Sequence, residues 1–219
     1  TGSFTITVSG TNDDPVATFS AAQTVAEAST INGSVTSSDA DDGAQATYAL
    51  VGSAIAGLSF NEDGSWSFDA ADAAYDDLAV GESRPVVVNY SVTDENGGTD
   101  TGSFTITVTG TNDDPVATFS AAQMADEDGQ VIGGQLTSTD ADLSDGATYT
   151  LVGEEIAGLV INADGTWTFD PTVAQYQHLG VTDSLPITVT YQVADGQGGT
   201  DTGSFTITVS GTNDDPVAT

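Results

Sequence analysis

A segment that occurs three times limits how this chain can fold. Residues 101–123 read TGSFTITVTGTNDDPVATFSAAQ, and nearly the same sequence stands at residues 1–23 and again from residue 202 onward. The copies begin at positions 1, 101 and 202, so the period is 100 and then 101 residues. Because single domains commonly contain about 100 residues, the repeat predicts two tandem domains, each large enough for one modest core.

The repeated segment combines the end of one domain with the start of the next. Phe104, Ile106 and Val108 alternate with serine and threonine, a period of two that is typical of a half-buried strand. An acidic joint, Asn-Asp-Asp-Pro at residues 112–115, follows this strand and precedes another. The predicted divisions are residues 1–12 as the terminal strand of a preceding repeat, 13–112 and 113–213 as two repeats, and 214–219 as the start of a further linker.

The first copy of this strand has no domain of its own. Phe4, Ile6 and Val8 carry the same alternation as the later copies. Two outcomes stay open: the segment hangs loose, or it pairs with an open sheet edge of its own or a neighbouring molecule, which would give weak self-association. No signal sequence is recognised at the N-terminus, and we expect the chain to be a segment of a longer protein.

Further alternating segments predict about seven short strands in each repeat. In the first repeat they lie at residues 16–22, with an interruption near Glu27, and at 30–38, 47–51, 57–61, 65–69, 86–92 and 104–108. The inward positions of the second repeat are Tyr149, Leu151, Trp167, Phe169, Ile187, Val189, Tyr191, Val193, Phe205, Ile207 and Val209. Short strands at regular spacing predict an all-β fold of two tandem Greek-key β-sandwiches, immunoglobulin- or cadherin-like. Residues 70–79 and 171–179 are the helical candidates, so we expect at most one short helix per domain.

The charge of the chain excludes several classes of partner. The sequence holds 33 Asp and Glu residues against one basic residue, Arg84, and its formal net charge is −32. Nucleic acid and anionic lipid need a basic surface, so neither is expected as a partner. No apolar run reaches the roughly 18 residues of a membrane span, so membrane insertion is not expected either. Such a chain repels itself when compact unless cations neutralise it, and with no cysteine for disulfides, a metal ion is the expected staple.

The acidic residues gather at the same loop positions of both repeats, whereas the strands place serine and threonine outward. In the second repeat the clusters are the joint, the Asp140-Ala-Asp142 loop with Asp145, residues 126–128, and Asp195 with Asp201 before the last strand. Carboxylate and amide oxygens are the ligands that Ca²⁺ prefers, roughly six to eight per ion. We therefore predict Ca²⁺ sites, with a solvated acidic surface as the alternative.

No motif in the sequence indicates catalysis. A nucleophile elbow, a phosphate loop and a zinc-protease motif are all absent, and His178 has no evident catalytic partners. Carboxylates for glycoside hydrolysis are abundant, but nothing favours that reaction. Trp66 and Trp167 are predicted to anchor the cores rather than to stack on sugars. Residues 94–98 begin like an EF-hand loop but lack its bidentate glutamate, so an EF-hand is not expected. Because no catalytic motif is recognised, the chain is not expected to be an enzyme.

The end of the second repeat carries a resemblance to a known family. Tyr191-Gln-Val-Ala-Asp195-Gly-Gln-Gly-Gly is followed by the Phe/Ile/Val strand and then by Gly211-Thr-Asn213-Asp214-Asp215-Pro216. This order resembles the end of a cadherin repeat that runs into its Ca²⁺-binding linker. It is more similar still to the VCBS-type, cadherin-like repeats of giant bacterial surface adhesins, including the RTX adhesins exported by type I secretion.

The resemblance implies a Ca²⁺ cluster between successive domains. The residues that it assigns to the central site are Asn112, Asp113, Asp114, Glu27, Asp140, Asp142 and Asp195. The mirrored set at the N-terminal joint is Asn12, Asp13, Asp14, Asp39, Asp41 and Asp94, and the remaining candidates are Asp69, Glu127, Asn213, Asp214 and Asp215. The family commonly carries a further acid where this chain has Gly110, so the number of ions per joint stays open.

The resemblance also implies a mechanical function outside the cell. We expect a Ca²⁺-rigidified extender segment of a bacterial cell-surface adhesin, with neighbouring repeats of the same chain as its partners. The alternatives are a module that binds a sugar or a host protein, and a homophilic adhesion domain on the same scaffold. An extracellular location after type I secretion follows from the same resemblance.

Overall fold

The computed structural model describes residues 2–214, and the chain divides into two compact units. The first unit ends at Thr111 and the second begins at Asn112. Within the described residues each unit is built from strands and turns alone, which confirms the predicted all-β fold. Among these residues there is no helix of the length and apolarity needed to cross a membrane.

Both units contain the same nine strands in the same order. The first unit has β1 (Val16–Ala17), β2 (Gln23–Ala26), β3 (Thr30–Ser34), β4 (Ser37–Ser38), β5 (Thr47–Leu50), β6 (Leu58–Phe60), β7 (Ser65–Asp69), β8 (Ser83–Thr93) and β9 (Thr99–Thr109). The second has β10 (Val116–Ala117), β11 (Gln123–Asp126), β12 (Ile132–Gln135), β13 (Ser138–Thr139), β14 (Thr148–Leu151), β15 (Leu159–Ile161), β16 (Thr166–Phe169), β17 (Ser184–Ala194) and β18 (Thr200–Ser210).

Each unit is a sandwich of a four-stranded and a three-stranded sheet. In the first unit the sheets have the orders β2-β9-β8-β5 and β3-β7-β6, and β1 pairs separately with β4. The pairing of β2 with β9 is parallel, whereas every other pairing in the unit is antiparallel. The second unit repeats this topology as β11-β18-β17-β14, β12-β16-β15 and β10-β13.

The first strand of each unit is split. In the first unit the chain is interrupted near Glu27, as predicted, because β2 ends at Ala26 and β3 begins at Thr30. A further break covers residues 18–22, between β1 and β2, so the predicted continuous strand at residues 16–22 was wrong. The cause is the buried hydroxyl of Tyr90, which donates to the Phe19 carbonyl at 2.9 Å and accepts from the Phe19 N–H at 3.2 Å. A side chain thus satisfies both backbone groups where the strand leaves one sheet for the other.

The core of each unit forms on the inward face of the long β8–β9 or β17–β18 hairpin. Val88, Tyr90 and Val92 alternate inward along β8 and are fully buried. Trp66 and Trp167 lie beneath these hairpins with 3% and 1% of their surface exposed, which confirms their prediction as core anchors. Because each unit has its own aromatic cluster, each has the hydrophobic core expected of a separate domain.

Neither helical candidate forms a helix, which is within the prediction of at most one short helix per domain. Residues 70–79 and 171–179 are successions of isolated turns, for example with the Tyr75 N–H bonded to the Asp72 carbonyl at 2.9 Å. An isolated helix shorter than about 12 residues is marginal. Here the carboxylate of Asp72 also bonds the N–H of Ala74 two residues on, which favours a turn over a helix.

Residues 2–10 form no strand in the structure. Phe4, Ile6 and Val8 are 86%, 75% and 88% exposed. The segment therefore does not pair with a sheet of its own chain, and pairing with a neighbouring molecule stays a prediction.

Candidate metal centre

The second unit begins with a linker whose polar groups are tied to two of its own loops. The Asn112 side chain donates from Nδ2 to Asp195 Oδ2 at 2.9 Å, and the backbone N–H of Asp113 donates to Asp142 Oδ2 at 2.9 Å. The family resemblance assigns all four residues to one site, and the structure brings them together at the start of this unit.

The loop at residues 140–145 offers an acceptor oxygen, Asp142 Oδ1, that no group of the protein binds. Asp142 is only 1% exposed, and its N–H donates to Asp140 Oδ1 at 3.0 Å, which orders the loop. Asp142 Oδ1 and Asn112 Oδ1 are buried without a hydrogen-bond partner. A buried polar oxygen without a partner is costly, and a carboxylate and an amide oxygen are both groups that a cation can bind. A cavity of about 230 Å³ opens beside Asp140, Asp142 and Asp145.

Asp195 is held in place by the loop before β18. Its Oδ1 accepts the backbone N–H groups of residues 197, 198 and 199 at 2.6, 2.9 and 3.0 Å. Asn112 first, and then these N–H groups, hold the pKa of Asp195 below the usual aspartate range. The carboxylate is therefore ionised and oriented at neutral pH, as a cation ligand must be.

A glycine closes this side of the site. A Cβ added to Gly199 would lie 2.6 Å from Asp114 Oδ1 and 2.9 Å from Asn112 Nδ2, and would collide with Asp195 Oδ2. Only glycine therefore lets the two carboxylates and the amide approach one another over this loop. Sequence reasoning did not assign this role, although glycine pairs at residues 97–98 and 198–199 were a usable signal.

The first unit begins with the same arrangement. Asn12 Nδ2 donates to Asp94 Oδ2 at 3.0 Å, and the Asp13 N–H donates to Asp41 Oδ2 at 2.9 Å. The Asp41 N–H in turn donates to Asp39 Oδ1 at 2.9 Å. The pKa of Asp94 is lowered, by the Asn12 side chain first and then by backbone N–H groups of its loop.

The first unit has an equivalent glycine, Gly98, but its candidate ligands are more exposed than those of the second unit. An added Cβ at Gly98 would lie 2.5 Å from both Asp14 Oδ1 and Asp94 Oδ2. Asn12, Asp13 and Asp14 are exposed, and Asp41 is half-buried where Asp142 is buried.

A buried glutamate holds the outgoing chain at the other end of each unit. Glu27 is 4% exposed, and its Oε2 accepts the N–H of Thr111 at 3.2 Å. Glu127 is fully buried and accepts the N–H groups of Leu179 at 3.2 Å and Thr212 at 2.7 Å. The acid that follows each first strand thus fixes the residue just before the next Asn-Asp-Asp joint.

The remaining candidates lie apart from these sets or beyond them. Asp69 is exposed and accepts hydrogen bonds from the Thr30 hydroxyl and the Ala71 N–H, which makes it a turn-forming residue. Asn213 and Asp214 are exposed at the end of the second unit, and Asp215 lies outside the described residues. Gly110 stands where the family carries an acid because a Cβ there would collide with the Leu78 and Ala79 carbonyl oxygens.

The donor set fits a hard cation. Every candidate ligand is a carboxylate or amide oxygen, with no sulfur and no imidazole nitrogen among them, which is the set that Ca²⁺ prefers. Residues 112–211 match the family described as the bacterial cadherin-like domain. This match covers almost the whole of the second unit. Residues 12–107 match the family described as the bacterial Ig domain, so the chain is built from tandem cadherin-like and Ig-like repeats.

One curated relative and several solved structures are similar to these repeats. The calcium-binding lectin RapA2 of Rhizobium johnstonii is 28% identical over 171 residues, which cover 69% of this chain and 70% of that protein. PcdhgB3 EC1-4 has a TM-score of 0.62 at 16% identity over 90% of this chain, and mouse cadherin-23 EC22-24 a TM-score of 0.57 at 17% identity over 90%. Human protocadherin-24 EC1-2 has a TM-score of 0.58 at 14% identity over 93% of this chain.

These structural similarities establish the cadherin-like fold of the repeats. This chain spans 50% of the PcdhgB3 chain, 64% of the cadherin-23 chain and all of the protocadherin-24 chain.

Proposed function

We propose that this chain is a Ca²⁺-rigidified extender segment of a bacterial cell-surface adhesin that holds a distal adhesive domain away from the cell. The observation that carries the proposal is the Asn-x-Asp linker of each unit. In both units it is tied to an Asp-Ala-Asp loop and to a glycine-closed aspartate, with an unpartnered buried Asp142 oxygen in the second. A solvated acidic surface would not require the same hydrogen bonds in two repeats.

Two proposed ligands of the central joint are connected through the peptide bond between Thr111 and Asn112. Glu27 binds the N–H of Thr111, and Thr111 is covalently followed by Asn112, which binds Asp195. Asp113, Asp114, Asp140 and Asp142 complete the oxygen set. When bound, Ca²⁺ would neutralise several carboxylates and link ligands of successive repeats, and the chain's own hydrogen bonds keep those ligands oriented for it.

The same linkage would make folding depend on the compartment. Extracellular Ca²⁺ modules bind at roughly 10⁻⁴ to 10⁻³ M, so such sites stay empty at cytosolic Ca²⁺ levels and fill outside the cell. Because binding free energy adds to folding free energy, the segment would cross a secretion channel poorly folded and fold after export.

Removing the linker acids tests the mechanical part of the proposal. The chain has no cysteine, so single cysteines at the equivalent exposed turn positions, Glu62→Cys and Ala163→Cys, can carry spin labels. We expect a narrow label–label distance distribution in Ca²⁺ and a broad one in chelator. Asp113→Ala with Asp114→Ala should leave the distribution broad in both conditions, because the strands stay intact while the joint loses two ligands.

A matched variant controls for the loss of two negative charges in the spin-label experiment. Glu154→Ala with Glu155→Ala also removes two adjacent negative charges from the second unit, in an exposed loop. This variant should keep the Ca²⁺-dependent narrowing. A parent chain whose distribution is the same in Ca²⁺ and in chelator would contradict the extender mechanism.

The glycine beneath the site offers a second test. In Gly199→Ala the new methyl group would occupy the space between Asp114 and Asp195, so we expect Ca²⁺ affinity of the second unit to fall at least about tenfold, the loss of one well-placed charged ligand contact. Gly146→Ala is the control, since a Cβ there meets no atom within 4 Å. Calorimetric Ca²⁺ titration gives both values, and equal affinities would refute the glycine's role.

Sugar binding is the second candidate because the curated relative is named a calcium-binding lectin. Within the described residues Phe4 is the exposed aromatic side chain, and both tryptophans are buried, so an aromatic stacking platform is not supported. Glycan binding that requires Ca²⁺ and survives removal of Asp113 and Asp114 would favour a lectin over an extender.

A further inference from the structure

The first unit contains two Asn-Gly dipeptides in different surroundings. Asparagine followed by glycine forms a cyclic imide readily, because glycine has no side chain to shield the backbone nitrogen that attacks the asparagine amide. Asn32-Gly33 lies within β3, whereas Asn96-Gly97 lies in the exposed turn that joins β8 to β9. The same reactive dipeptide is therefore held in a sheet in one case and placed in a turn in the other.

The two backbones differ in how freely they can rotate to close the imide. β3 pairs with β7 along its whole length, and a Cβ on Gly33 would lie 2.6 Å from the ring of Trp66. In the turn, the Gly97 N–H bonds the Asp94 carbonyl at 3.4 Å, which is long for a hydrogen bond between backbone groups. Asn32 can therefore react only after local opening of β3, and the turn asparagine does not have that requirement.

The side chain of Asn96 occupies an oxygen of the candidate metal centre. Asn96 Nδ2 donates to Asn12 Oδ1 at 2.7 Å. In the second unit the equivalent oxygen, Asn112 Oδ1, is buried without a hydrogen-bond partner, and the residue at the position of Asn96 is Gln197. Because amide oxygens are Ca²⁺ ligands, the Asn96 side chain competes with a cation for Asn12 in the first unit.

We propose that Asn96 is a self-modification site whose deamidation removes this competitor. The Gly97 nitrogen attacks Asn96 Cγ, the new C–N bond closes the imide, and the side-chain nitrogen leaves as ammonia with the proton of the Gly97 nitrogen. Water then opens the imide at either carbonyl and leaves an aspartate or an isoaspartate at position 96. The product has no N–H to donate to Asn12 Oδ1 and places a carboxylate in the turn. Only the effect on cation affinity rests on the proposed Ca²⁺ function.

Peptide mapping by mass spectrometry tests the covalent step without any metal. The parent chain is stored at neutral pH in NaCl and chelator, below its melting transition, and each conversion is followed as a mass gain of about 1 Da. We expect Asn96 to convert at least about tenfold faster than Asn32, because Asn32 waits for local opening of β3. In denaturant the two rates should agree within about twofold, since the strand and the turn are then lost. A folded chain in which Asn96 converts no faster than Asn32 overturns the proposal.

Asn96→Asp reproduces the aspartate product and tests its effect on the cation. In an NMR titration with Ca²⁺, the amide signals of Gly98 and Gly199 report the two units separately, since each N–H donates to the aspartate of its own centre. We expect Asn96→Asp to raise the Ca²⁺ affinity at Gly98 at least about tenfold, through one freed amide oxygen and one added carboxylate. Asn32→Asp makes the same change of charge in β3 and should leave both affinities within about twofold of the parent values.

The two glycine signals separate failure of this inference from failure of the proposed Ca²⁺ function. If Gly199 responds to Ca²⁺ but Asn96→Asp binds no more tightly than the parent chain at Gly98, the inference alone is overturned. An equal gain in Asn32→Asp also overturns it, because general charge would then explain the effect. If neither glycine responds to Ca²⁺ in any variant, the proposed Ca²⁺ function fails, and the effect of deamidation on cation binding fails with it.

Discussion

Withdrawing Ca²⁺ is expected to lower the melting temperature of each unit by about 10–20 °C. A ligand present at about 100 times its dissociation constant stabilises the folded state by about 2.7 kcal/mol per site. For a domain of this size, 1 kcal/mol shifts the melting temperature by about 4–8 °C. Calorimetry in millimolar Ca²⁺ and in chelator measures the shift. The reason is chemical: in chelator the folded state retains buried acceptors such as Asp142 Oδ1 that have no hydrogen-bond partner.

Ionic strength and a second cation distinguish a site from general screening. With a formal net charge of −32, added NaCl should also raise the melting temperature, because salt screens repulsion between surface carboxylates. That effect should be smaller and should not saturate at a defined stoichiometry. Mg²⁺ demands a smaller, octahedral set of ligands and should restore less stability than Ca²⁺ at equal concentration. Equal melting temperatures in Ca²⁺, Mg²⁺ and NaCl of matched ionic strength would contradict a specific Ca²⁺ site. The acidic residues would then form a solvated surface.

The alternation of apolar and polar residues was enough to predict most strands of the β-sandwich. Residues 86–92 and 104–108 place every second side chain inward, and β8 and β9 follow that pattern with Val88 and Ile106 fully buried. The split first strand could not be predicted in the same way. Its break depends on a hydrogen bond between Phe19 and Tyr90, which are 71 residues apart. A local pattern contains no information about such a distant partner.

The candidate metal centre was predictable in residue types and only partly in geometry. The recurrence of Asn-Asp-Asp, Asp-Ala-Asp and the aspartate before the last strand pointed to the residues that the structure ties together in each unit. The glycine pair at residues 198–199 was a signal for a close approach, but which groups Gly199 separates, Asp114 and Asp195, is visible only where three backbone segments converge. Asp69 was selected by analogy with a family motif, and its hydrogen bonds within a turn give it a local structural role.

A core substitution in one unit is expected to destabilise the other unit only when Ca²⁺ is present. Phe169 is fully buried, lies opposite Ile132 and Leu159 in its sheet, and packs its ring 5.4 Å from that of Tyr176. Phe169→Ala should cost the second unit about 3–5 kcal/mol, the usual range for removing a buried aromatic side chain. Hydrogen exchange in β9 and β18 reports the two units separately.

The response of β9 decides whether the units are linked through a shared ion. In chelator, Phe169→Ala should accelerate exchange in β18 and leave β9 unchanged, because each unit has its own core. In Ca²⁺, unfolding of the second unit would also remove Asp113, Asp142 and Asp195 from the joint, so the first unit would lose the stabilisation that binding supplies. The matched substitution Phe68→Ala should give the reciprocal result, with β18 responding only in Ca²⁺. If β9 exchange is indifferent to Phe169→Ala in both conditions, any bound Ca²⁺ belongs to single units, and the joint cannot transmit rigidity from one repeat to the next.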